Sequence, residues 1–163
     1  MIRIFQLHCN FSELSQHKPR PEWFNREKIF DSLISTLDER VEYIAFHDSG
    51  NGEIKDHFLN NKKVTKISKK GGNGAQSFLN LLNYVNEQNY NDEDIIYFLE
   101  DDYLHRNGWI DILLEGFEHI SADYYTLYDH PNKYYPGMWE KYPSYLIATP
   151  SVHWRTTVST TNT

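Results

Sequence analysis

The chain holds a single cysteine, Cys9. No disulfide framework can form within it, and a thiolate zinc site is excluded. It has no apolar run of the length a bilayer span needs, and its opening residues, "MIRIFQLHCN", are too short and too polar for a secretory signal. No transmembrane segment is expected, and a reducing cytoplasm is the expected compartment. A basic excess is missing as well. The 16 Lys+Arg against 23 Asp+Glu leave a formal charge of -7, with no Lys/Arg cluster, so nucleic acid is not an expected partner. A protein this acidic needs a metal ion or backbone donors as intermediary if it is to handle an anionic ligand. Two phosphate-binding motifs are also absent. "KKGGNGAQS" lacks the Lys-Ser/Thr ending of a P-loop, and no Gly-x-Gly-x-x-Gly follows a strand.

What is present fits one globular domain. With 163 residues, 39% hydrophobic and 24% charged, the chain is long enough to bury a real core. Its 12 tyrosines suit ligand grooves and cores alike. "IRIFQL" (Ile2 to Leu7) reads as a strand, Tyr43 to His47 as a second, "KVTKIS" as a weaker third and Ile95 to Leu99 as a fourth. Phe30, Leu33, Ile34 and Leu37 fall at helical spacing, as do Phe78, Leu81, Leu82 and Val85 after the glycine loop. Asn73 and Gln76 have capping-box spacing at the start of that second helix. A third helix, capped near Asn107, turns Ile110, Leu113, Leu114 and Phe117 inward. "DYYTLYD" and "YLIAT" are further strand candidates. The β-branched ending "HWRTTVSTTNT" suggests one more strand with nothing to cover it, either an edge strand with a frayed tail or, as expected here, a natural chain that continues.

Strands alternating with helices predict an α/β fold, a mostly parallel twisted sheet flanked by helices. Ligands of such sheets sit at the carboxyl ends of the strands. Three strands here end in residues capable of chemistry: His8, Cys9 and Asn10, then Asp48 to Gly50, then Glu100, Asp101 and Asp102. On an extended strand Glu100 and Asp102 share a face while Asp101 points to the other. A pair of carboxylates so placed can hold Mg²⁺ or Mn²⁺ through oxygen beside phosphate oxygens. The triplet reads equally as a solvated acidic turn before a helix. The Gly71, Gly72, Asn73, Gly74 loop reads either as backbone able to approach a ligand or as a plain connection.

The order of these pieces resembles the nucleotide-sugar-binding half of a GT-A glycosyltransferase, family-2-like, over about residues 2 to 120. The resemblance is carried by a first strand, a second ending in "HDSG", a "GGNGAQS" loop opening a helix, and "YFLEDDYL" with a Glu-Asp-Asp variant of the Asp-x-Asp motif. It implies a Rossmann-like fold and transfer of a sugar from a nucleotide-sugar donor to a carbohydrate or glycoconjugate acceptor, assisted by Mn²⁺ or Mg²⁺. Asp48 would contact the base, His8, Cys9 and Asn10 would flank base or ribose, and the Gly71 to Gly74 loop would lie near the nucleotide. Asp102 would bind the metal, with Glu100 and Asp101 holding ribose, water or metal and His153 a late metal ligand. The general base would lie past the metal motif in an acceptor portion that this chain is expected to lack in part. Asp129 and Glu140 are the remaining downstream acids, and Asp129 and His130, in an aromatic-rich loop that reads equally as ordinary packing of Tyr and Trp, would line the sugar or acceptor pocket.

Three other functions compete. A nucleotidyltransferase would carry a glycine-rich basic loop after its first strand, and "HCNFSELSQHKPR" has no glycine. A metal-dependent hydrolase could draw on His47, Asp48, Asp102, His105, Asp129, His130 and His153, but the Asp-x-His and Gly-Asn-His groupings of two-metal phosphoesterases are missing. A non-catalytic nucleotide-sugar-binding module is the third.

Overall fold

The computed structural model describes residues 1–10, 17–49, 54, 56–128 and 143–157. The chain divides into two compact units, Met1–His105 and Arg106–Thr163.

The first unit runs β1 (Ile2–Cys9), α1 (Arg26–Ile34), β2 (Val41–Asp48), a 3-10 turn (Phe58–Asn61), β3 (Thr65–Lys69), α2 (Gly74–Asn86) and β4 (Ile95–Glu100). Its strands form one sheet in the order β3-β2-β1-β4, every neighbouring pair parallel. This is the flanked parallel sheet that the alternation of patterns predicts. The pleat sends Ile4, Gln6 and His8 to one face of β1 and Phe5, Leu7 and Cys9 to the other. On the first face Phe30 of α1 meets Tyr43 edge-on, ring centroids 5.5 Å apart. On the second, Leu81 of α2 packs with Phe5, Ile44 and Phe46. A strand covered on both faces has little use for polar residues, so Gln6 and His8, both buried, stand out.

Helix ends follow local chemistry. Asn25 caps α1, its side chain accepting from the Lys28 amide at 2.9 Å. The helix stops at Ile34, short of Leu37, because the Ser35 and Thr36 hydroxyls turn back onto the carbonyls of Ser32 and Leu33, each at 2.7 Å. Asn73 caps α2 through the Gln76 amide at 2.9 Å, but the Gln76 side chain bonds Asn80 instead of reaching back, so the capping box is half made.

The second unit contains α3 (Trp109–His119) and an antiparallel pair, β5 (Leu146–Ala148) and β6 (His153–Arg155). The helix begins after Gly108 at φ +80°, beside the expected Asn107, but no side chain caps it. Ile110 and Leu113 are buried as the pattern implies, whereas Phe117 is 42% exposed and stacks on Tyr125 at 4.1 Å. "DYYTLYD" is no strand over its described residues, 123–128. The Tyr125 hydroxyl donates to the Ile120 carbonyl and ties that segment to the end of α3. "YLIAT" and "HWR" do supply strands, β5 and β6. Among the described residues no helix is long and apolar enough to cross a membrane.

Candidate functional site

The strand order fixes where a ligand crevice opens. From β1 the chain moves outward through β2 to β3, then returns to lay β4 on the other side of β1. The switch point is therefore the carboxyl end of the β1/β4 pair. Leu7 pairs with Glu100 there, and Cys9 pairs with Asp48 on the β2 side. The register thus gathers His8, Cys9, Asn10, Asp48, Glu100, Asp101 and Asp102 along one sheet edge, seven residues that the sequence scatters over more than ninety positions.

The three acids have different surroundings. Asp101 is only 8% exposed, and its Oδ1 accepts from Arg26 Nε at 2.9 Å. Asp102 Oδ2 accepts from Arg20 Nη1 at 3.0 Å. Both guanidiniums lie over the Phe24 ring, at 4.5 and 5.6 Å from its centroid. Glu100 keeps its surface accessible, yet the protein displacing water around it, and then the Asp102 charge, push its carboxyl up. Burial pushes Asp101 up to about 6, more than Arg26 can offset. Crowding at the end of β4 is thus relieved by two arginines from the segment between β1 and β2. No motif in the sequence marks either of them.

Behind Asp101 runs a buried polar chain. Gln6 Nε2 donates to the Glu100 carbonyl at 3.1 Å, and the Tyr43 hydroxyl donates to Gln6 Oε1 at 2.6 Å. Having given its one hydrogen to Gln6, Tyr43 accepts from His8 Nε2 at 2.9 Å. That assignment leaves His8 Nδ1 a bare acceptor, and it faces Asp101 Oδ2 at 3.8 Å, each atom buried without a hydrogen-bond partner. Burial, then His57, His47 and Arg26, hold His8 down to about 3. His47 donates from Nε2 to Asn10 Oδ1 at 3.0 Å, while its Nδ1 is buried without a partner. The His57 ring stands 4.8 Å from that of His47 and 5.7 Å from that of His8. This cluster of three imidazoles was not visible in the sequence, where they are 39 and 10 positions apart.

Asp48 is engaged by the glycine loop. Its Oδ1 accepts from the Gly71 amide and its Oδ2 from the Gly72 amide, both at 3.0 Å, and the Ser77 hydroxyl donates to Oδ2 as well. The loop's amides, which the resemblance places near a nucleotide, thus already grip a carboxylate of the chain itself. A Cβ at Gly71 would lie 2.6 Å from Asp48 Oδ2 and 2.9 Å from the Ser77 Cα, whereas one at Gly74 meets nothing. Gly71→Ala is expected to lower stability by about 1–3 kcal/mol, and Gly74→Ala, in the first turn of α2, to raise it by about 0.5–1 kcal/mol. Urea denaturation of the two variants checks the opposite signs.

Among the other candidates, His153 is exposed on β6 of the second unit, opposite Ala148. His105 is hydrogen-bonded through Nε2 to the Tyr97 hydroxyl at 2.8 Å. Asp129, His130 and Glu140 lie outside the described residues. Among the described residues no three His, Cys, Asp or Glu side chains are grouped to hold a metal ion. Glu100 and Asp102 are nonetheless the hard oxygen donors that Mg²⁺ and Mn²⁺ take in ones and twos, the rest of the shell coming from water and ligand oxygens. No protein-family model, curated protein or solved structure matches the chain significantly.

Proposed function

We propose that this chain is the donor-binding part of a GT-A glycosyltransferase, moving a sugar from a nucleoside-diphosphate sugar to a hydroxyl of a carbohydrate or glycoconjugate with divalent-metal assistance in the cytoplasm. The observation that supports this most is the placement of Glu100, Asp101 and Asp102 at the switch point between β1 and β4, with the Asp48-held glycine loop at the same sheet edge. In an open parallel sheet that crevice is where nucleotides are bound.

A bound Mn²⁺ or Mg²⁺ supplies counter-charge for the departing nucleoside diphosphate as the anomeric carbon takes on oxocarbenium character. Glu100 and Asp102 are the residues that would hold it. Asp101, the residue between them, is fixed by Arg26 and anchors the turn that carries both. Asn10, exposed at the end of β1 and bonded to His47, is positioned for ribose or base. The base that deprotonates the acceptor is not among these residues. Cys9, half-buried and without a disulfide, suits a reducing compartment.

The test is calorimetric titration of a panel of nucleoside diphosphates, with and without Mn²⁺, into the wild-type chain and Asp102→Ala. Metal-dependent binding by the wild type, lost in the variant while circular dichroism is unchanged, is the expected result. Equal metal-dependent binding by Asp102→Ala would sink the assignment.

A further inference from the structure

The site carries unused donors and unused acceptors side by side. Arg20 commits one guanidinium N–H to Asp102 and Arg26 commits one to Asp101, at 3.0 and 2.9 Å, out of the five that each guanidinium offers. Their side chains are 29% and 31% exposed, so both are partly open to water beside the acids they hold. Phe24 lies against both and fixes their approach. Beside them Asp101 Oδ2 and His8 Nδ1 are buried acceptors with nothing to accept from. Guanidinium donors left over are matched by oxyanions, and the other oxygen of Asp102, which meets Arg20 through Oδ2 alone, by a cation. A metal–diphosphate complex brings both at once.

We infer that Arg20 and Arg26 are the residues that grip the diphosphate, and that Arg20 does so by exchanging Asp102 for a phosphate oxygen when a cation takes Asp102. The inference rests on the glycosyltransferase reading above. In the ligand-free chain Arg20 competes with a metal for Asp102. Once the metal is bound, the released guanidinium turns to the incoming diphosphate beside it. Metal and diphosphate thereby bind with positive coupling, and by linkage each strengthens the other equally. The exchange also answers how a chain of net charge -7 accepts a polyanion. Its positive charge is stored in ion pairs that the metal unlocks.

The consequence is a pair of opposite effects from one substitution. Arg20→Gln removes a competitor for Asp102, so free Mn²⁺, followed by electron paramagnetic resonance, is expected to bind about tenfold more tightly. The same variant loses a phosphate contact, so the manganese–pyrophosphate complex, titrated calorimetrically, is expected to bind about tenfold more weakly. Arg26→Gln is expected to weaken pyrophosphate binding as well. Arg40→Gln, which loses the same charge from the pair with Asp38 beside the start of β2, is expected to change neither affinity. If the wild type binds both ligands and the two affinities of Arg20→Gln fail to move in opposite directions, the exchange is overturned and the glycosyltransferase reading stands. If the wild type binds neither Mn²⁺ nor its pyrophosphate complex, both are overturned.

Discussion

Lowering the pH from about 6.5 to about 4 is expected to remove a large part of the stability of the first unit. His8 and His57 are held down to about 3 and about 4, each mainly by burial, and burial lowers His47 too. Unfolded, each imidazole takes up its proton near the ordinary value of 6.5, whereas in the fold His8 and His57 stay neutral down to about 3 and about 4 and burial shifts His47 in the same direction. The unfolded chain therefore binds more protons below that pH. The stability contributed by the neutral rings is complete above about 6.5 and drains as the pH falls, at about 1.4 kcal/mol per pH unit per ring. Asp101 works the other way. With its carboxyl pushed up to about 6 against an ordinary 3.8, the folded state gains a proton in the same window, and Glu100, also raised, adds to this. The His8 and His57 rings against the Asp101 carboxyl leave about one proton in favour of unfolding, or about 1.4 kcal/mol per pH unit, with His47 adding to this and Glu100 subtracting from it. Over two pH units that is about 3 kcal/mol, a large share of the stability of an ordinary domain at the lower end of about 5–15 kcal/mol. Urea midpoints followed by circular dichroism at a series of pH values measure the slope. His57→Phe, which keeps a ring against His47 and Phe58, is expected to flatten it by about one proton. An unaltered slope would show that His57 titrates as freely in the fold as outside it.

These histidines mark the border of what the sequence discloses. Continuous apolar runs located β1, β2 and β4 because a strand covered on both faces must be apolar over its whole length. Their polar endings located the site edge, since the carboxyl ends of parallel strands come together whatever the connecting loops do. Asn73 was legible as a cap because capping is local chemistry between residues three apart. Partners across the fold were not legible. Arg26 and Asp101 are 75 positions apart, Arg20 and Asp102 82, and His8 and Tyr43 35. Each pairing depends on register and loop path, not on a spacing within one element. Asp101 shows the cost of arguing from the pleat alone. It is the most buried of the three acids, held by an arginine and facing a histidine, and no local pattern separates it from its neighbours. "DYYTLYD" failed for the opposite reason. Its aromatic and β-branched content favours a strand only where a neighbouring strand is present to pair with, and Tyr125 instead turns onto Ile120 and Phe117.

Asp48→Ala is expected to destabilise the first unit by about 3 kcal/mol and to unfasten the glycine loop from the sheet edge. The carboxylate receives the Gly71 and Gly72 amides and the Ser77 hydroxyl, and hydrogen bonds to a charged acceptor contribute about 1.5–3 kcal/mol each before non-additivity is allowed for. Successive backbone amides converging on one anion form a nest, and Gly72 sits in the left-handed region at φ +86°, a conformation that favours glycine. Asn is no substitute here. Its Oδ1 can keep one amide, but its Nδ2 then presents hydrogens to the other donor, so Asp48→Asn is expected to cost nearly as much as Ala. Glu is too long for a cradle in which Gly71 already has no room for a methyl group. Hydrogen exchange separates loss of the clasp from general unfolding: the Gly71 and Gly72 amides should lose protection in both variants while those of central β1 keep theirs. Retained protection at Gly71 and Gly72 would mean that the loop holds its shape without the carboxylate. The same clasp bears on nucleotide binding, because any contact Asp48 makes with a base is made by a carboxylate whose position the loop dictates. Gly71→Ala, which perturbs that loop and leaves Asp48 in the sequence, should then weaken nucleotide binding in step with the protection it removes.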